Sequence, residues 1–268
     1  MDFIVEYYFD FDLMWQEHGA ILEGFWFTLK LSIFSGVLSL IWGLALAVLR
    51  QLPGPAFAPV RWVTIGYIDV FRGIPLLLVL LLVSGSLSAF AAPTQEIIPR
   101  EVGIPTWLGQ PSPFWYGVIA LTITYGAYMA EVYRAGIEAV PPGQTQAARS
   151  LGMSHGQAMR YVIVPQAVRK VIPPLLNDFI ALTKDTSLVS VLGLVEVVQA
   201  GRDIQSEFFN GSGLVAGAIL FILLTIPLAR LVDWLIARQQ RHGGSRGGDE
   251  GGEASTGLPT PQPSAGAA

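Results

Sequence analysis

Lys184-Asp185-Thr186-Ser187 lies in an apolar stretch, with Asn177 and Asp178 one to two helical turns before it. Adjacent opposite charges project in different directions from a helix, so Lys184 and Asp185 cannot neutralise each other and each needs another partner. They serve either a polar network that fixes helix packing or direct contact with the charged groups of a bound solute. Arg72, in "YIDVFRGIP", follows Arg61 by eleven residues, about 16 Å along a helix. An arginine at that depth in a bilayer costs roughly 2.5–3.5 kcal/mol, so it must face a polar interior or water. Gly73 and Pro75 break the helix there, and freed carbonyls at membrane depth are tolerated only against protein or a cavity. Arg72, with Tyr67 and Asp69, is therefore either bonded to neighbouring carbonyls or lines a path or gate. Glu131 and Arg134, at i and i+3, suit an ion pair at a helix end. Tyr67, Asp69, Arg72, Gly73, Pro75, Glu131, Lys184 and Asp185 are the candidates for a polar path.

Other chemistries find no support. Cysteine is absent, which excludes disulfides and thiolate sites. His18, His155 and His242 are far apart and form no metal-ligand pair. The sequence contains no phosphate-binding loop, His-Glu-x-x-His signature or Gly-x-Ser-x-Gly elbow. No catalytic residue, metal, bound cofactor or nucleic acid is expected.

The elements that must position these residues read as membrane helices. Of 268 residues, 52% are hydrophobic and 13% charged, against roughly 25% charged in an average soluble domain. The mean hydropathy is +0.51. Apolar runs approach the ~20 residues needed to cross a bilayer, and five spans can be drawn at about 25–49, 62–87, 114–137, 172–200 and 214–236. The N-terminus lacks the basic region and cleavage site of a signal peptide.

Residues 1–24 hold six acidic residues and no Lys or Arg, placing them outside by the positive-inside rule. Arg50 and Arg61, the cations from Arg134 to Lys170, and Arg238 with Arg241 mark the cytoplasmic ends. Because the third and fifth spans then run in the same direction, 172–200 must be the return span despite its charges. Trp15, Trp26, Trp107 and Trp115 near outer boundaries, and Trp62 and Trp234 near inner ones, suit an aromatic belt. The loop at 88–113 is proline-rich and expected to cap the outer side. Residues 239–268, rich in Gly, Ser, Pro and Ala, are expected to be a disordered cytoplasmic tail.

One cytoplasmic stretch is too polar to span and too helix-like to be a slack loop. Pro141 and Pro142 suit a helix start, Gln144 to Leu151 form the body, and Gly152 supplies a left-handed stop. Ser154 with Gln157 forms a capping box opening a second helix, which Pro165 is expected to interrupt. Ala147, Ala148 and Leu151 give the first helix a small apolar face suited to another protein's groove.

The spacing Gln146-Ala147-Ala148, three residues, Gly152, nine residues, then Val162-x-Val164-Pro165 resembles the cytoplasmic motif of permease subunits of bacterial ATP-binding-cassette importers. "GQTQAARSLGMS", "VIVPQAVRKVIPPLLNDFIALTKDTSL" and "YIDVFRGIPLLL" are similar to the polar amino-acid branch, of the histidine, glutamine and glutamate type. The resemblance covers about Gly24 to Trp234. It implies an all-α integral membrane protein of the MetI-like type I importer fold, with five spans over 25–238 and a coupling-helix pair at 141–165. By the same resemblance, Gln146, Ala147, Ala148, Gly152, Val162, Val164 and Pro165 dock onto ABC ATPase subunits. ATP is used by that partner; a solute-binding protein delivers an amino acid outside, and a second permease subunit completes the pathway. Gln146 replaces the motif's usual glutamate, keeping an acceptor and losing the charge. The competing expectation is an ATP-independent carrier using Arg72, Asp178, Lys184 and Asp185 as a coupling-ion site, which the small span number and absent internal repeat disfavour. A membrane-bound enzyme has no supporting constellation.

Overall fold

The computed structural model describes residues 2–91 and 112–244, and all regular structure among them is helical. In chain order the helices are α1 (Asp2–Tyr8), α2 (Phe11–Gln16), α3 (His18–Arg50), α4 (Ala58–Gly73), α5 (Leu76–Ala91) and α6 (Ser112–Glu138). There follow α7 (Pro142–Ser150), α8 (His155–Ala158), α9 (Val164–Asp185), α10 (Val197–Phe208) and α11 (Ser212–Gly244).

α6 is the central strut, packed against α3, α4, α5 and α9. α3 buries a run of small residues, Ser32, Ser35, Gly36, Ser39, Gly43 and Ala47, with Gly43 against α6 and Gly36 against Phe179 of α9. With no hydrophobic driving force between helices in lipid, such small faces let backbones close to van der Waals contact. Gly43 is the tightest point between the two backbones. A Cβ there would sit 2.8 Å from Met129 Cβ and 2.9 Å from the Gly126 carbonyl. The opposite face of α3 presents exposed Ile33, Val37, Ile41, Leu44 and Val48, as a lipid-facing helix requires. Leu31, Leu80, Phe114, Trp115, Val118, Leu121, Leu182 and Val189 form the largest buried cluster.

Two expected spans are built differently from their sequence reading. The run at 62–87 is two helices, α4 and α5, bent by 110°. Pro75 cannot donate at the bend, while the Ile74 amide still reaches Val70 O at 3.0 Å. The run at 172–200 is not one helix either. α9 begins at Val164 and stops at Asp185, a 3₁₀ turn covers Thr186–Leu192, and the helical run ends at left-handed Gly193. Buried Glu196 then caps α10, accepting from the amides of Val198 and Gln199, both at 2.8 Å. Of the charges that interrupt this apolar run, Asp185 ends α9 and Glu196 opens α10, while Asp178 lies within α9. α10 also fills most of the loop expected at 201–213.

α3 and α11 are each long and apolar enough to cross a membrane, and the bent pair α4–α5 makes a third candidate. α6 and α9 are more polar; as inner helices of the bundle they face protein, where an apolar surface is not required. α1 and α2 give the N-terminal segment a fixed place. Gly211 N donates to Tyr7 O (2.8 Å), Gln205 to the Tyr7 hydroxyl (3.0 Å) and Asp10 N to Ser212 Oγ (3.2 Å).

Trp15, Trp26, Trp62 and Trp234 are exposed as a belt requires, but Trp115 is buried in the core. Trp107 and residues 92–111 of the expected outer cap lie outside the described residues. α11 continues to Gly244, past the boundary at 238 drawn from composition, and 245–268 of the expected tail likewise lie outside the described residues.

Candidate functional site

A cavity of about 410 Å³ opens where the α4–α5 bend faces α6 and α9. Each wall has a local cause. Arg72 is in the last turn of α4, and the break at Gly73-Ile74-Pro75 exposes backbone beside it. α6 presents Thr124, Tyr125 and Tyr128, and α9 presents Asp178, Ala181 and Asp185. Positions i, i+1, i+4 and i, i+3, i+7 each fall on one helical stripe.

The polar groups are partly satisfied. Tyr125 donates to Asp185 Oδ2 at 2.7 Å. Tyr128 donates to the Arg72 carbonyl at 3.3 Å, and the Arg72 guanidinium lies 5.7 Å from the Tyr128 ring centroid. Two atoms at this cavity are buried without a hydrogen-bond partner: Thr124 Oγ1 and Asp178 Oδ2. Among the described residues no ion pair joins Arg72 to either carboxylate. The cavity thus holds opposite charges on different walls and leaves the space between them open.

Arg72, Gly73, Pro75 and Asp185 are brought together here, and Tyr67, Asp69, Glu131 and Lys184 are not. Tyr67 is fixed in packing, donating to Ile123 O (2.9 Å) and accepting from Trp42 Nε1 (2.8 Å). Asp69 and Lys184 are exposed, Lys184 pointing away from its neighbour Asp185. Glu131 is clasped between Arg50 of α3 (2.7 Å) and Arg134 of its own helix (2.8 Å), while Arg134 also holds Glu138. The i, i+3 pair is present, and Arg50 turns it into an α3–α6 tie.

Glu131→Gln leaves two half-buried cations short of one charge. The expected result is a loss of about 1–3 kcal/mol, read as a melting midpoint several degrees lower in detergent.

Thr124, Tyr125 and Tyr128 were not singled out from sequence. The signal is the spacing in "TITYGAY", which puts three hydroxyls on one stripe of an otherwise apolar helix.

The second candidate site is the pair α7–α8. α7 starts with Pro142 in its first turn. It ends in a Schellman closure: Gly152 N donates to Arg149 O (3.0 Å) and Met153 N to Ala148 O (3.2 Å), with Gly152 at φ +82°. Ser154 and Gln157 form the reciprocal capping box, at 3.2 and 2.8 Å. The apolar face expected on α7 is split. Ala148 is buried within this chain, whereas Ala147 is exposed and Leu151 is 81% exposed. Gln146 and Gly152 also face outward.

Pro165 does not end the second helix. Residues Met159–Ile163 adopt a π-helical turn, with Val164 N donating to Met159 O, and the chain runs on into α9 with Pro165 in its first turn. The wider turn gives the proline ring room against the preceding carbonyls, where an α-helix would clash. Ile163 is buried and Val162 half-buried beside Val140 and Ala167; Val164 and Pro165 are exposed. Lys170, donating to the Ala139 carbonyl, closes the α6–α9 connection behind the pair.

Residues 39–241 match the family model described as "Binding-protein-dependent transport system inner membrane component". The chain is 33% identical over 220 residues to the arginine transport system permease protein ArtQ of Bacillus subtilis (strain 168), covering 81% of this chain and 91% of that protein. It is equally 33% identical to the glutamate/aspartate import permease protein GltK of Escherichia coli O157:H7, covering 87% and 99%. A crystal structure of an amino acid ABC transporter with histidines superposes with a TM-score of 0.73 at 35% identity, over 85% of this chain and 98% of that one. An inward-facing MetNI methionine ABC transporter shares the fold, with a TM-score of 0.65 at 18% identity over 82% and 96%. With helical architecture, matched length and family motif in agreement, the chain belongs to the binding-protein-dependent transport system inner membrane components, in the company of amino-acid ABC transporter permeases.

Proposed function

We propose that this chain is the permease subunit of an ATP-driven amino-acid importer, that the Arg72–Asp178–Asp185 cavity lies on its solute path, and that α7–α8 dock on a separate ATPase. One observation carries the reading. α8, the second helix of the exposed and capped pair, passes through the π-turn into α9 without leaving helical geometry, and α9 is the helix that carries Asp178 and Asp185. A push on α7–α8 therefore has a stiff route to the cavity.

In this reading five spans cross the bilayer: α3, the bent α4–α5, α6, α9 and α11. Residues 1–24 lack any Lys or Arg and lie outside. The turns bearing Arg50, Arg134, Arg149, Arg160, Arg169 and Lys170 lie inside, as does the C-terminus. The exposed Gln146, Ala147, Leu151 and Gly152 meet the ATPase, while Ala148, Val162 and Ile163 hold the helix in place. Val164 and Pro165 lie exposed where α9 begins. A binding protein delivers the amino acid outside, a second permease subunit closes the path, and ATP is bound and hydrolysed by the partner. This chain performs no catalysis and binds no cofactor.

The test is reconstitution of the permease into liposomes with an ABC ATPase and a solute-binding protein from the same organism. Uptake of a labelled amino acid is expected to require both partners and ATP. Uptake by the permease alone, driven by a sodium or proton gradient, would establish an ATP-independent carrier instead.

A further inference from the structure

Similarity leaves the solute class open, since relatives of equal identity are named for a cationic, a neutral and an acidic amino acid. The cavity residues decide more. We infer that the cavity selects amino acids of net positive charge, an inference resting on the reading that it lies on the solute path.

Among the described residues the lining carries one cation, Arg72, and two carboxylates, Asp178 and Asp185. Lys184, which would balance the count, faces away and is exposed. A free amino acid brings one carboxylate and one ammonium group. Its carboxylate has a single cationic partner in this lining, the Arg72 guanidinium, which can meet it through two parallel N–H bonds. Its ammonium satisfies one aspartate, and the second aspartate still faces the cavity with its charge uncompensated. A neutral amino acid therefore leaves one net negative charge in the lining, and an acidic one leaves two. A second cation on the side chain brings the sum to zero. Attraction between opposite charges a few ångströms apart remains substantial even at a partly open protein site, so the difference is large enough to sort solutes.

Geometry supports the same class. Asp178 and Asp185 lie seven residues apart on one stripe of α9, about 10 Å along the axis. That separation accommodates an extended side chain with a cation at each end and a hydrogen bond beyond each. Asp178 Oδ2 is buried and lacks a donor, whereas buried acceptors are ordinarily paired; an ammonium or guanidinium group supplies the missing N–H. Asp185 is held in orientation by Tyr125 at 2.7 Å and keeps its second oxygen for the solute. Thr124 Oγ1, also unpaired, adds a neutral partner that does not change the charge count.

The experiment is equilibrium binding of labelled L-lysine, L-arginine, L-glutamine and L-glutamate to the purified permease–ATPase complex in nanodiscs, with the binding protein omitted. Lysine and arginine are expected to bind about tenfold or more tighter than glutamine, with glutamate weakest. Asp178→Asn and Asp185→Asn should each weaken lysine about tenfold and narrow its advantage over glutamine, while Gly66→Ala, outside the lining and with open space at its Cβ, should bind both like the parent. Glutamine or glutamate binding as tightly as lysine, with Arg72→Gln weakening all of them, would overturn the charge preference and keep the cavity on the path. Absence of lysine and arginine binding to the wild-type complex would also overturn it. If Arg72→Gln and Asp178→Asn left reconstituted uptake unchanged, the placement of the path itself would be overturned.

Discussion

Gly152→Leu is expected to leave the permease folded in the membrane while cutting amino-acid uptake more than tenfold and leaving ATP hydrolysis running. Nothing lies within 4 Å of a Cβ placed on Gly152, so the side chain itself has room. The backbone does not: φ is +82°, a conformation that costs an L-residue roughly 1–2 kcal/mol. Relieving that strain breaks the two bonds that close α7. A helix of nine residues is too short to persist on propensity alone, and little of α7 besides Ala148 is buried. Its end frays, and the proposed handle on the ATPase loses its shape. Ala148→Glu should act similarly by forcing a charge beneath the helix, whereas Ala147→Glu keeps α7 in place and alters only its outer surface. The measurement pairs uptake with phosphate release in proteoliposomes. Full uptake by both Gly152→Leu and Ala147→Glu would remove α7 from the coupling route.

Gly43→Val should be more destructive, because the fault lies in the bundle itself. A Cβ at this position meets Met129 Cβ at 2.8 Å and two backbone atoms of α6 within 3.1 Å, and backbone cannot rotate aside as a side chain can. Overpacking commonly costs 1–3 kcal/mol, and here α3 would have to lift from α6 along the whole small-residue stripe. The expected outcome is loss of the monodisperse peak in size-exclusion chromatography and sharply reduced yield. Gly66→Ala is the matched control, since nothing lies within 4 Å of its Cβ; it should purify like the parent. A well-behaved Gly43→Val protein would show that α3 and α6 pack more loosely than these distances state.

Local signals in the sequence carried far. Pro142, Gly152, Ser154 and Gln157 announce the ends of α7 and α8 because caps depend on residues within one turn of each other. Arg72 and Asp185 announced themselves through the cost of charge in an apolar run. What the sequence concealed depends on contacts across the fold. Glu131 reads as a partner for Arg134, yet its second partner is Arg50, eighty-one positions away. Ala148 reads as part of a docking face, yet tertiary packing turns it inward. The run at 172–200 reads as one apolar stretch because hydropathy averages over Gly193, where a single left-handed residue ends the helical run. Pro165 reads as a stop because π-turns leave no compositional mark. The Tyr125–Asp185 bond joins residues from two segments whose pairing no local pattern supplies.

Pro173 and Pro174 sit inside α9, and a proline leaves the carbonyl four residues earlier without its helical donor. For Pro173 that carbonyl belongs to Arg169, and Gln239 of α11 donates to it at 2.5 Å. The last helix of the chain therefore supplies a bond that α9 cannot make for itself. Mechanically, α9 and α11 are spliced at this point: the stretch of α9 that leaves the π-turn cannot straighten, swing or rewind without shedding a bond to α11. In the proposed coupling a stroke delivered at α7–α8 is borne by two members at once, and Gln239, which does not line the cavity, adds stiffness to the transmission between them.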